Sequence, residues 1–64
     1  MQAANPIPER LLPLPDVINL VGMRRAWIYN QVMAGAFPAP LKIGRNSRWK
    51  QSEIAEWIGK QGRP

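Results

Sequence analysis

Glycine and proline divide this chain into short segments, and this division constrains its fold more than any other feature. Gly22 and Gly35 each follow a stretch with helical apolar spacing, and glycine readily ends a helix. The segment 37–40 reads Phe-Pro-Ala-Pro, too rich in proline for a helix or a central strand. We therefore expect a compact arrangement of short helices and strands.

The first helix is predicted between Leu14 and Gly22. Pro15 suits the first turn, where its missing N–H would be unpaired anyway, and Asp16 complements the positive end of the helix dipole. We expect Gly22 to end the helix in a left-handed conformation. The apolar stripe comprises Val17, Ile18, Leu20 and Val21.

The second helix is predicted to begin near Arg24 and to end before Gly35. A period of 3.6 residues sets two faces on this helix. The inward face comprises Ile28 and Val32, with Tyr29 and Met33 beside them, and the opposite face comprises Ala26, Trp27, Asn30 and Ala34. Two short helices joined by a tight glycine turn are typical of a helix-turn-helix.

A hairpin and a third helix follow. The polar cluster Gly44–Ser47 separates two short alternating segments, Leu41–Ile43 and Arg48–Lys50, which predicts two strands joined by a turn. We expect both strands to point their large apolar side chains inward and Lys or Arg outward. The last helix is predicted to start near Gln51, with an apolar stripe of Ile54, Trp57 and Ile58.

These elements predict an α+β fold, a small winged helix-turn-helix in the order helix, helix, β-hairpin, helix. Phe37, Trp49 and Trp57 are predicted to lie in the core. We expect a disordered N-terminal arm over residues 1–10, a single working domain over 11–58 and a flexible tail over 59–64.

Composition excludes several classes of protein. The chain has no Cys and no His, so a disulfide, a thiolate metal site and a His-based catalytic site are excluded. Glu53 and Glu56 lie three residues apart on one helix and are interpreted as solvent-facing charges. We expect no enzymatic activity, no metal and no cofactor. With no apolar run of about 20 residues and no signal-peptide layout, a soluble cytoplasmic protein is expected.

The charge of the chain favours nucleic acid as the partner. Nine Lys and Arg against four Asp and Glu give a net charge of +5, the electrostatic property typical of nucleic-acid binders. Simple solubility is the alternative explanation. The basic residues are grouped, however, at the head of the second helix and around the hairpin, while the acidic residues lie elsewhere.

The second helix is the predicted reader of the major groove. Its candidate DNA contacts are Arg24, Arg25, Trp27 and Asn30. Arg and Asn can each bond a base edge through two hydrogen bonds, and positive charge at a helix N-terminus opposes the dipole, which favours a functional reason for the two arginines. Trp27 has two interpretations: a contact with DNA, or a peripheral core residue folded back over the hairpin.

The hairpin is the predicted wing. Its tip contains Arg45, Asn46, Ser47 and Arg48, a set that can enter a minor groove or hold phosphates. Lys42 and Lys50 flank the hairpin and are interpreted as phosphate contacts.

Several motifs together resemble the AlpA family of phage and prophage regulators, over about Leu11 to Ile58. They are the segments LLPLPDV from Leu11, VGM from Val21, IY at Ile28, GAFP from Gly35, PLKIG from Pro40, and Trp49 followed by EIAEWI from Glu53. The resemblance implies a winged helix of the MerR-like or excisionase-like kind, in a bacterial host. One departure is the start of the second helix, where Arg24, Ala26 and Trp27 replace the family's usual Ser, Ser and Thr. The usual N-cap is therefore lost, and no operator sequence is carried over.

Members of that family regulate prophage genes or act as recombination directionality factors that bend DNA for excision, and the sequence does not separate these roles. We expect double-stranded DNA as the partner, cooperative binding of several protomers because one small module buries little surface on DNA, and a phage integrase as a further candidate partner. The rival hypothesis is a protein-interaction module whose basic or Trp-rich surface docks another protein. RNA binding is disfavoured because the aromatic residues follow core periodicity.

Overall fold

A computed structural model of the chain describes residues 9–62 as an α+β fold of three helices and a three-stranded antiparallel sheet. The predicted order of helix, helix, hairpin and helix is confirmed, and one short strand precedes it. Within residues 9–62, every helix is too short to serve as a membrane-spanning segment. The elements are β1 (Leu11–Leu12), α1 (Leu14–Val21), α2 (Arg25–Met33), β2 (Leu41–Ile43), β3 (Asn46–Lys50) and α3 (Gln51–Gly59).

The turn between α1 and α2 has the expected chemistry. Pro15 lies in the first turn of α1, and Gly22 ends the helix with a φ of 75°. The Gly22 N–H donates to the Ile18 carbonyl at 2.8 Å, which satisfies one of the carbonyls that a helix end leaves free. Because α2 begins at Arg25, only three residues separate the helices, as in a helix-turn-helix.

Strand β1 was not anticipated. Its two residues pair with the end of β3, Leu11 opposite Lys50 and Leu12 opposite Trp49, so that β3 is the central strand in the order β1-β3-β2. A Leu-Leu pair in front of a proline carries too little periodicity to predict a strand. The pairing brings the start of the domain beside the junction between hairpin and α3.

That junction caps α3. Two N–H groups at the start of the helix find acceptors in the residues before β1: Gln51 donates to the Arg10 carbonyl at 2.8 Å, and Ser52 donates to the Glu9 carboxylate at 3.2 Å. The Ser52 hydroxyl also donates to Glu9, at 2.7 Å. These bonds to Ser52, with a smaller contribution from the charge of Lys50, hold the pKa of Glu9 below its usual 4.5.

The domain boundaries differ slightly from the predicted ones. Glu9 and Arg10, which we placed in the N-terminal arm, are hydrogen-bonded to α3. Gly59, which we placed in the tail, is the last residue of that helix. The rest of the predicted arm, 1–8, and the end of the tail, 63–64, lie outside the described residues.

The core is small, as expected for so short a chain, and receives one buried side chain each from β1, α1, α2, the proline-rich loop, β3 and α3. Trp49 at 0% exposure and Phe37 at 5% are buried as predicted. The Trp49 indole N–H donates to the Pro38 carbonyl at 2.8 Å, which attaches the proline-rich loop to the sheet. The buried set is Leu12, Val17, Ile28, Phe37, Trp49 and Ile54.

Three apolar side chains predicted to face inward on helices are exposed. Leu20 is 52% exposed, Met33 87% and Ile58 40%. Each helix has only eight or nine residues and meets the small core along a narrow strip, so residues at the edge of an apolar stripe remain in solvent.

The hairpin also differs from the prediction. Trp49 points into the core, so its neighbours in β3 point to the other face of the sheet. Register places Leu41 opposite Arg48 and Ile43 opposite Asn46, and this outer face leaves Leu41 43% exposed and Ile43 49% exposed. The expectation that both strands turn apolar residues inward and cations outward was therefore wrong for β2, whose two apolar residues share the outer face.

Candidate nucleic-acid interface

The start of α2 presents two exposed cations. Arg24 occupies the N-cap position in an extended conformation, with no side-chain hydrogen bond to the helix, so the predicted loss of the N-cap bond is confirmed. The guanidinium of Arg25 lies over the ring of Tyr29, 5.5 Å from its centre. This cation–π contact orients Arg25 while leaving it exposed.

The solvent face of α2 consists of Ala26, Asn30 and Met33, all exposed and spaced on one side of the helix. Asn30 lies where it was predicted. Met33 is a residue that the sequence reasoning missed, because we grouped it with the inward residues. Its position five residues after the buried Ile28 corresponds to roughly 140° around the helix, and this angle was the signal that could have identified it.

Trp27 is partly buried in an aromatic cluster. Its ring makes edge contacts with Phe37 and Trp57, at 6.3 and 6.1 Å between ring centres, while Phe37 and Trp57 are 4.8 Å apart. The Trp57 indole donates to the Ala36 carbonyl at 3.0 Å. Trp27 therefore packs as a peripheral core residue, on Phe37 and Trp57 instead of the hairpin, and its contact with DNA stays a prediction.

The wing is a tight hairpin with Arg45 at its tip. Only Gly44 and Arg45 connect the strands, since Ile43 already pairs with Asn46. Gly44 has a φ of 63°, at the position where a type II′ turn requires a positive φ. The predicted turn of four residues is thus two residues long, and the side chain of Arg45 is exposed.

The polar side chains along the hairpin hold one another. The Lys42 ammonium donates to the Ser47 hydroxyl at 3.0 Å, and the Arg48 guanidinium donates to the Ser47 carbonyl at 2.9 Å. Both bonds order a cation without neutralising it. Asn46 is exposed beside the turn, so Lys42, Arg45, Asn46, Ser47 and Arg48 all lie on one short hairpin.

One ring contact joins the hairpin to α2. The Tyr29 ring lies 6.1 Å from the ring of Trp49. The guanidinium of Arg25 lies over the same Tyr29 ring. Because Trp49 is fully buried in β3, the orientation of Arg25 is coupled to the strand that carries Arg48. The two basic groups predicted from sequence are thereby parts of one packed unit.

Charge is left unbalanced at both groups. Within residues 9–62 the structure contains a single ion pair, Lys60 to Glu56 at 3.5 Å, and it lies on α3. None of Arg24, Arg25, Lys42, Arg45 and Arg48 forms an ion pair within these residues. The described part of the chain also contains no group of three or more side chains suited to a metal ion.

Comparison with known proteins agrees with this geometry. The sequence profile of the prophage CP4-57 regulatory protein (AlpA) family matches residues 10–62. The chain is 37% identical over 51 residues to an uncharacterized protein, ORF88, of Enterobacteria phage P4; the match covers 78% of this chain and 58% of the relative, so the chain spans little more than half of that relative's length. No solved structure matches the chain. Because the family profile covers every described element of the fold, the chain belongs to the prophage CP4-57 regulatory protein (AlpA) family.

Proposed function

We propose that this protein binds double-stranded DNA, with α2 in the major groove and the hairpin against the adjacent backbone or minor groove. The observation that carries the proposal is the placement of five cations without acidic partners on two elements joined through Tyr29 and Trp49. A regulatory family of phage is consistent with such a partner. The five cations are Arg24, Arg25, Lys42, Arg45 and Arg48.

On α2, the proposal divides the contacts by chemistry. Arg24 and Arg25 lie at the helix start, where a guanidinium can pair with a phosphate or with a guanine edge. Asn30 lies on the exposed face and can bond an adenine edge through its amide. Met33 extends the same face with an apolar surface suited to a thymine methyl group. Trp27 supports this helix from behind through Phe37 and Trp57.

On the wing, Arg45 reaches furthest because it lies in the two-residue turn. Asn46 and Ser47 supply neutral hydrogen-bonding groups beside it. Lys42 and Arg48 are oriented by Ser47 and retain their full charge for phosphates. Contacts of this kind position a protein on DNA and contribute a salt-dependent part of the affinity.

Salt dependence tests the proposal directly. Affinity for duplex should fall linearly on a log–log plot against salt, with a slope of about 0.9 per phosphate neutralised. Replacing Arg45 and Arg48 together by Ala should reduce that slope by about 2. Lys60→Ala is the matched control, because it removes a cation that is already paired with Glu56 on α3, and its slope should equal that of the parent.

The rival function is a protein-interaction module, and it is favoured by the apolar side chains exposed on the sheet. The same titration separates the two. If the purified protein shows no salt-dependent binding to duplex at about 50 mM salt, the DNA proposal fails and the interaction module is the better explanation. Equal affinity for single-stranded RNA of the same length would also contradict it.

Within the DNA proposal, the protein serves a phage or prophage as a transcriptional regulator, as an excisionase, or as both. Selection of bound fragments from the host genome distinguishes these roles. Fragments from an attachment site beside an integrase gene support excision with the integrase as partner, whereas fragments from promoters support transcriptional control. Recovery of fragments with no shared sequence would contradict sequence-specific binding.

A further inference from the structure

A groove between α3 and the loop that precedes β2 is not used by the proposed DNA contacts. Its volume is about 480 Å³, and its base includes Phe37 and Trp57. Glu53 and Glu56 line it from α3. Lys60 neutralises part of the charge through its pair with Glu56, whereas Glu53 has no ion-pair partner in the part of the chain that the structure describes. Apolar rings, two carboxylates and one ammonium, that of Lys60, therefore line the groove, and the excess of negative charge makes it unsuited to a phosphate backbone.

The outer face of the sheet has the complementary composition. Register places Leu11 opposite Lys50 and Leu41 opposite Arg48, and all four side chains point away from the buried Trp49. Leu11 is 42% exposed and Leu41 43% exposed. This face, which we call the sheet face, therefore combines apolar side chains with the positive charge of Lys50 and shares no residue with the groove. Arg48 lies on the same face and remains the phosphate contact proposed above.

We propose that the groove of one protomer binds the sheet face of a second copy of this chain, head to tail, when the two lie side by side on DNA. Charge complementarity commits the groove to this occupant: two carboxylates against one ammonium line the groove in a chain whose net charge is +5, and the sheet face offers Lys50 together with leucines. The contact joins two different surfaces, so it is heterologous and can repeat from one protomer to the next. This inference rests on the proposed function, because DNA holds the copies together.

The size of the surfaces explains why DNA is needed. A stable interface usually buries about 800 Å² on each partner. We expect a groove and one small sheet face to bury less than that, so that the free protein associates weakly. Binding at neighbouring sites raises the effective concentration of the two surfaces, and a weak contact then becomes measurable as cooperativity.

Reciprocal charge reversal tests the contact. Cooperativity is measured as the ratio of affinities per site for a duplex with two adjacent copies of the selected site and a duplex with one. The parent protein should show a ratio of at least about fivefold. Glu53→Lys and Lys50→Glu should each reduce the ratio to about 1. When two copies of the same variant lie side by side, the substituted groove or sheet face meets a charge of the same sign on its neighbour.

An equimolar mixture of the two variants should restore part of the ratio, because pairs of unlike variants bring opposite charges together and pairs of like variants do not. Each groove of one variant then meets an opposite charge on the sheet face of the other, in both possible orders. Asp16→Lys is the matched control for Glu53→Lys, because both residues are acids in the first turn of a helix and only Glu53 lines the groove. The control should keep the parental ratio.

Leu41→Ser tests the apolar part of the contact at an exposed position, where folding should be unaffected, and it should also lower the ratio.

Parental ratios in Glu53→Lys and Leu41→Ser, or no restoration in the mixture, would overturn the inference while leaving one-site binding intact. Failure of one-site binding by the parent would instead reject the proposed function. In that case, amide shifts of the free protein at rising concentration decide the contact: shifts confined to the groove and sheet face, absent in Glu53→Lys, support it, and their absence in the parent refutes it.

Discussion

Replacement of Trp27 by Ala separates the two roles that this residue can have. Its ring is partly buried and contacts Phe37 and Trp57 through ring edges, while it lies on α2 beside the solvent face of that helix. If Trp27 is a packing residue, the substitution removes the side chain that connects α2 to α3. If it is a DNA contact, the substitution weakens binding without loosening the fold.

The structure sets the expected magnitude. Each edge contact between aromatic rings contributes about 0.5–1.5 kcal/mol beyond simple burial, and removing a fully buried Trp or Phe costs about 3–5 kcal/mol. Because Trp27 is only partly buried and has two such contacts, we expect a loss of about 2–3 kcal/mol in the free energy of unfolding. Trp27→Phe keeps one ring and should lose about half as much.

Urea unfolding and fluorescence anisotropy with labelled duplex measure the two effects on the same sample. A chain of this length has a total stability of only about 3–9 kcal/mol, so the affinity must be corrected for the folded fraction. After that correction, the affinity of Trp27→Ala for DNA should equal that of the parent. Parental stability combined with lost affinity would show that the indole faces DNA and would refute the packing assignment.

Three other perturbations give sharp outcomes. Gly22→Ala should destabilise the domain by about 1–2 kcal/mol in urea unfolding, because φ is 75° at this position. A Cβ there meets no atom within 4 Å, so the cost comes from the backbone and not from a clash. Gly59→Ala is the control: it is equally open but has no positive φ, and it should not destabilise the domain. The pKa of Glu9 in the folded protein lies below 4.5. The ionised Glu9 carboxylate therefore stabilises the fold fully above pH 4.5, and this stabilisation is lost as the pH falls through the folded pKa. Glu9→Gln should abolish this part of the decrease in melting temperature at acid pH. Met33→Ala should leave stability unchanged, because the side chain is 87% exposed, and should relax base preference at one position in a selection from random duplexes.

Local chemistry was the part of the fold that the sequence predicted well. Gly22 follows a helical apolar stretch and tolerates the left-handed conformation that ends a helix, and the polar cluster after Ile43 favours a turn in any context. Trp49 is large and apolar enough to be buried in any compact form of this chain. The helix boundaries and the two strands of the hairpin follow from such residues, and each was within one or two positions of the structure.

What the sequence did not reveal depends on contacts between distant residues. Strand β1 is defined by its pairing with β3, in which Leu12 lies opposite Trp49. These residues are far apart in the sequence, so no local pattern predicts the strand. The exposed side chains of Leu41 and Met33 follow from which neighbours the small core provides. In the candidate site, the sequence was enough to name the basic residues that are candidate contacts. The contact of Arg25 with Tyr29, and of Tyr29 with Trp49 in the sheet, could be seen only in the structure.

The capping of α3 by Glu9 and Arg10 makes folding of this domain a non-local event. Glu9 and Ser52 are 43 positions apart, so the last helix reaches its capped state only when the beginning of the domain is already in place. The helix-turn-helix and the wing are thus closed into a loop whose two ends meet. We expect unfolding to be a single cooperative transition, and we expect fragments that begin after Leu12 to lose the wing's orientation as well as α3. A minimal version that keeps the fold of this domain must therefore retain the residues from Glu9 onward.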